Sequence, residues 1–137
     1  HLTGEVILGT PVFLAPEIIN ENDKVCVKTD VYSFACVAYY MFTGIKLFDN
    51  RNVMKCLAQH VHEPAPSISI FGNFTNFPAP LEIILLRCLS KKIEHRPHIY
   101  EVFECLTELE DKYPWKHQQA KDWWNQNQGL SSPESMI

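Results

Sequence analysis

Apolar and polar positions divide the chain into four helical stretches separated by proline- and glycine-marked breaks. The first 14 residues carry Gly4, Gly9 and Pro11 without helical periodicity, so they read as an extended loop. Pro16 fits the first turn of a short helix to about Asn20, where its missing N–H would be unpaired anyway. After the polar turn Asn20–Lys24, a long helix is expected from about Thr29 to Thr43. Thr29 or Asp30 suits its N-terminus, and Gly44 suits the position just beyond its end. The run from Val31 to Phe42 is apolar apart from Ser33, which predicts the central buried element. A second helix is expected over about 50–61, capped by Asp49-Asn50, with Val53, Met54, Leu57 and Val61 as its stripe. Residues 63–76 read as loop. Pro80 opens a third helix to about Lys91, with Leu81, Ile84, Leu85, Cys88 and Leu89 inward. Pro97 opens a fourth to about Asp111, with Ile99, Val102, Phe103, Leu106 and Leu109 inward. Pro114 breaks it and leaves a polar tail bearing Trp115, Trp123 and Trp124. There are no internal repeats, and no strand is predicted.

The totals narrow the picture. A chain of 137 residues, 46% hydrophobic and 20% charged, suits one globular domain with a real core. The net charge of −4 and scattered basic residues argue against a nucleic-acid partner. The run 31–42 is too short for a bilayer, which needs about 20 residues. No charged n-region or apolar h-region stands at the N-terminus, and a start at histidine suggests a fragment. Cys26, Cys36, Cys56, Cys88 and Cys105 are odd in number and form no CxxC, so reduced thiols and a cytoplasmic location are expected. His60 and His62 lack the further ligands a metal site needs, and a solvated or capping role is expected for them. No metal ligand set is assigned.

Three motifs carry chemistry. Gly9-Thr10-Pro11-Val12-Phe13-Leu14-Ala15-Pro16-Glu17 contains the Ala-Pro-Glu triplet that closes a kinase activation segment. Asp30-Val31-Tyr32-Ser33-Phe34 opens the longest apolar run. Cys88-Leu89-Ser90-Lys91-Lys92 leads to His95-Arg96-Pro97 before the last helix. Their order and spacing resemble the C-terminal lobe of protein kinases over about residues 3–111, most of all the eukaryotic-like serine/threonine kinases of bacteria. Tyr32 stands where that family more often has tryptophan. The implied fold is mainly α, a helical C-lobe lacking the N-lobe and catalytic loop. It would comprise a partial kinase domain over 1–112 and a C-terminal tail over 113–137.

The resemblance implies specific roles. Gly9, Thr10, Pro11, Val12 and Phe13 would line the pocket for the substrate residue after the phosphate acceptor. Thr10 would also touch the catalytic aspartate. Glu17 would pair with Arg96, and Asp30 would anchor the backbone of a catalytic loop this sequence does not contain. Thr3 is the candidate phosphosite. Physical chemistry supports two of these assignments independently. A buried glutamate and a buried arginine are each costly to desolvate alone and can form a bidentate pair together. A carboxylate at position 30 is favoured by the unpaired amides of a helix N-terminus, where it could equally be only a cap.

Two look-alikes fail. His95-Arg96-Pro97 has proline where a catalytic loop has aspartate, and Thr10-Pro11 replaces the Lys-Ser/Thr of a phosphate loop. The sequence has no glycine-rich loop followed by lysine and no Asp-Phe-Gly. ATP and magnesium are thus expected of a parent kinase and not of this chain. Its expected partners are protein or peptide substrates and the parent's N-lobe and catalytic loop. A pseudokinase-like scaffold and an unrelated helical interaction module remain the alternatives.

Overall fold

A computed structural model describes residues 11–20, 25–48, 51–71 and 76–127. Thr3, Gly9, Thr10 and the Asp49-Asn50 pair lie outside the described residues. All regular structure among the described residues is helical: α1 (Pro16–Ile19), α2 (Val27–Thr43), α3 (Val53–His62), α4 (Ala79–Cys88), α5 (Ile99–Lys112) and α6 (His117–Gln126). Short 3₁₀ turns cover Pro11–Phe13, Ile68–Ile70 and Ile93–His95. Contact density divides the chain into two units, residues 1–105 and 106–137, with the boundary inside α5.

In the first unit, α2 packs against α4 and the Pro11–Phe13 turn, while α1 packs against α3. The start of α2 lies two residues before the sequence-based expectation. Its N-cap is Cys26, and the Thr29 hydroxyl accepts the Cys26 N–H at 3.0 Å. Thr29 thus supplies half of a capping box from inside the first turn, and Asp30 is the fourth helical residue instead of the cap. Gly44 ends the helix with φ 70°, a left-handed conformation that costs residues with a Cβ.

The expected all-round burial of α2 is corrected. Tyr32, Ala35, Cys36 and Tyr39 are buried, but Phe34, Val37, Tyr40 and Met41 are exposed. The described helices cover one face only. The stripe of α3 is also rotated from expectation. Cys56, Leu57 and His60 face the core, whereas Val53 and Met54 are exposed. Asn52 caps this helix, its Oδ1 accepting the Lys55 N–H at 3.2 Å. In α4 the expected residues Leu81, Ile84, Leu85 and Cys88 are buried, as is Leu89 just beyond it. The intervening loop is less loose than its composition suggests. Ile68 is fully buried, and Glu82 of α4 accepts the Ser67 hydroxyl and the Ser69 N–H, which pins the loop to the helix. In α5 only Val102 is buried, while Ile99, Phe103 and Leu106 are exposed.

The second unit holds the end of α5 and a helix that its polar composition concealed. Gln119 Oε1 accepts the Lys116 N–H at 2.8 Å, and Gln118 donates to Asp122 one turn on at 2.9 Å. These local bonds start and support α6 without an apolar stripe. Trp123 and Trp124 pack edge to face on it, with ring centroids 4.9 Å apart.

Candidate functional site

The site is assembled on α1, the N-terminal half of α2 and the corner between α4 and α5. Pro16 sets the first turn of α1 and places Glu17 one residue inside it, buried at 2% exposure. Arg96, 79 residues later, is 1% exposed. The structure brings the two together. Arg96 Nη1 donates to Glu17 Oε1 at 2.6 Å, and Nη2 donates to Oε2 at 2.8 Å. This two-point contact matches guanidinium to carboxylate geometry.

The remaining guanidinium donors are also placed. Nε donates to the Ser90 carbonyl at 2.8 Å, and Nη1 donates to the Lys28 carbonyl at 3.0 Å. Lys28 Nζ returns a bond to the Arg96 carbonyl at 2.7 Å. The guanidinium carbon lies 4.9 Å from the centre of the Tyr32 ring, within cation–π range. Burial alone would push the Glu17 carboxyl up. The hydrogen bond from Arg96 opposes this, helped by the backbone amide of Glu17 and by the Thr29 side chain, and the net pKa lies below the ordinary value. Both partners are therefore charged and fully supported, the condition under which a buried pair repays its desolvation.

A second buried cluster adjoins the first, and sequence reasoning missed it. Tyr32 Oη lies 3.0 Å from His60 Nδ1 and accepts from Lys91 Nζ at 3.2 Å. With Lys91 donating to that oxygen, the phenol proton is free to go to His60. Lys91 Nζ also stands 4.8 Å from the centre of the Phe48 ring. His60 is wholly buried, which corrects the expected solvated role. Burial, reinforced by the charge on Lys91, lowers its pKa to about 4, so the imidazole is neutral at neutral pH. Burial likewise lowers Lys91 to about 8. The signal for His60 was its spacing: it falls one turn after Cys56 and Leu57, on the buried side of α3.

The other predicted residues take simpler places. Pro11, Val12 and Phe13 form a 3₁₀ turn packed on α2 and α3, with Val12 buried and Phe13 partly exposed. Ser33 Oγ donates to the Phe13 carbonyl at 2.8 Å and fixes the turn to α2. Asp30 is exposed in the first turn of α2. Among the described residues no three His, Cys, Asp or Glu side chains gather as a metal site, and no helix is long and apolar enough to cross a membrane. All five cysteines are free thiols. Burial pushes Cys36 to about 12 and Cys88 to about 11, so neither is a ready nucleophile.

Comparison with known proteins places these features in a family. The protein kinase domain model matches residues 3–106. The probable serine/threonine-protein kinase pknA2 of Bifidobacterium longum is 41% identical over 64 residues, covering 47% of this chain and 8% of that protein. The serine/threonine-protein kinase PknB of Mycobacterium tuberculosis is 33% identical over 91 residues, covering 66% of this chain and 14% of that protein. A mitogen-activated protein kinase kinase of Pyricularia oryzae is 31% identical over 111 residues, covering 73% of this chain and 26% of that protein. The chain spans about a quarter or less of the length of these relatives.

Proposed function

This chain belongs to the protein kinase domain family, and we propose that it forms the helical, peptide-holding base of a serine/threonine protein kinase. The observation that carries the reading is the buried Glu17–Arg96 pair. It ties the segment ending in Ala15-Pro16-Glu17 to the helical corner before α5. That attachment fixes the Pro11–Phe13 turn beside α2, where its partly exposed side chains can meet a peptide. In this reading Gly9 and Thr10 belong to the same peptide-binding segment, Asp30 anchors a catalytic loop, and Thr3 is phosphorylated during activation. An intracellular, cytoplasmic setting suits the five free thiols.

The residues present do not fit ATP or magnesium. Phosphoryl transfer needs a phosphate-anchoring lysine, metal-binding carboxylates and a carboxylate base, held in fixed geometry. The sequence contains none of the motifs that supply them, and among the described residues no three His, Cys, Asp or Glu side chains gather as a metal site. The chain alone is therefore proposed to be inactive, with ATP and magnesium bound by other parts of the parent.

The peptide-holding role is tested in a longer gene product that includes the upstream kinase motifs. Phe13→Ala should raise KM for a serine or threonine peptide several-fold and alter the preference for the residue after the acceptor. Thr10→Ala should lower kcat. An unchanged KM together with an unchanged preference in Phe13→Ala would contradict the assignment.

A further inference from the structure

An open groove of about 550 Å³ runs along the outer side of α4, away from the Pro11–Phe13 turn in sequence. Its apolar surface comes from Ala65, Ile83 and Leu86, and its polar surface from Arg87, Lys91 and His95. Among the described residues no carboxylate lines it. That local chemistry is the reverse of the whole chain, whose net charge is −4. We propose that this groove docks an acidic segment of a protein substrate, with leucine-like side chains on the α4 surface and carboxylates against Arg87 and its neighbours. The proposal rests on the peptide-holding reading above and adds a second, remote contact for the same substrate.

Charge and geometry both favour that occupant. Arg87 donates through Nη2 to Glu101 at 3.0 Å, in a pair that is about half exposed. An exposed pair of this kind contributes little and exchanges easily. Its Nε and Nη1 donors remain for an incoming carboxylate. Lys91 adds positive charge from behind, held in place by its bond to Tyr32 Oη. Ile83, on the same side of α4, is 60% exposed and extends the apolar surface at the groove's edge. A basic peptide would meet three nitrogen-bearing side chains, and the neighbouring Glu101 carboxylate is already paired with Arg87. An uncharged apolar peptide would leave the Arg87 donors unused.

The intact 137-residue chain can be titrated into the fluorescein-labelled peptide Asp-Leu-Glu-Glu-Leu-Asp, with anisotropy as the readout. The control is the same peptide with lysine at every acidic position. The acidic peptide should bind, and the lysine peptide should bind at least roughly tenfold more weakly. Arg87→Glu and, separately, Ile83→Asp should each weaken the acidic peptide by roughly fivefold or more. Both side chains are exposed, so circular dichroism should be unchanged. Equal binding of the two peptides would overturn the proposal, as would full retention of binding in both variants. Binding requires no phosphoryl transfer. An inactive parent would remove the kinase reading and leave the groove intact, whereas loss of peptide binding in an active parent would remove only the groove.

Discussion

Arg96 does more than neutralise Glu17. Its donors also reach the carbonyls of Ser90 and Lys28, so one side chain ties α1, the start of α2 and the corner before α5. Removing Glu17 leaves a desolvated guanidinium, and Glu17→Gln should lower unfolding stability by about 3–5 kcal/mol. Arg96→Met should cost at least as much, because it also orphans backbone carbonyls. The double variant should cost clearly less than the two single losses together, since the second change removes a charge already unpaired. Urea unfolding of all four proteins measures this, and strict additivity would show that the pair is not coupled. The pairing was legible in the sequence because Ala-Pro-Glu and His-Arg-Pro are recognisable motifs. Nothing comparable marked His60. At that position the pH dependence follows from burial. The folded imidazole, near pKa 4, binds its proton less readily than the unfolded one, near 6.5. Stability is therefore fully present above about pH 6.5 and falls progressively as pH drops toward 4. Glu17, held below its usual value, adds a further loss at still lower pH. His60→Phe should flatten the decline between those two pH values. An equally steep decline in that variant would place the acid sensitivity elsewhere.

At the level of elements, the proline-marked starts were the most legible feature. Pro16 lies at the first position of α1, Pro80 in the first turn of α4, and Pro97 two residues before α5. Facing was harder to read. The residues Val53, Met54, Ile99 and Phe103 are apolar and correctly spaced, yet exposed, because periodicity gives a stripe and not the partner that covers it. α6 escaped notice for the opposite reason, since it is held by polar side-chain bonds and lacks an apolar stripe. The end of α2 offers a clean test of local chemistry. Open space surrounds a Cβ placed at Gly44, so the cost of a side chain there is purely conformational. Gly44→Ala should destabilise by about 1–2 kcal/mol in thermal or urea unfolding, and Gly44→Asn by less. An unchanged midpoint for the alanine variant would mean that the turn relaxes at no cost.

For the molecule as a whole, the family membership and the arrangement of the described helices fit the helical base of a kinase proposed above. In the proposed reading, a base built around α2 and tied at Glu17–Arg96 would orient a peptide, and transition-state charge in phosphoryl transfer would be met by groups whose motifs these 137 residues lack. The exposed side of α2 leaves Val37 and Met41 uncovered by the described residues. The most direct measurement compares this chain with the parent protein proposed above, extended upstream of residue 1. Both are incubated with magnesium, radiolabelled ATP and serine, threonine and tyrosine peptides. Residues 1–137 should transfer no label, and the longer protein should transfer it to serine or threonine but not tyrosine. Phosphate transfer by the 137-residue chain itself would contradict the proposed reading, as would an upstream sequence that lacks a catalytic aspartate.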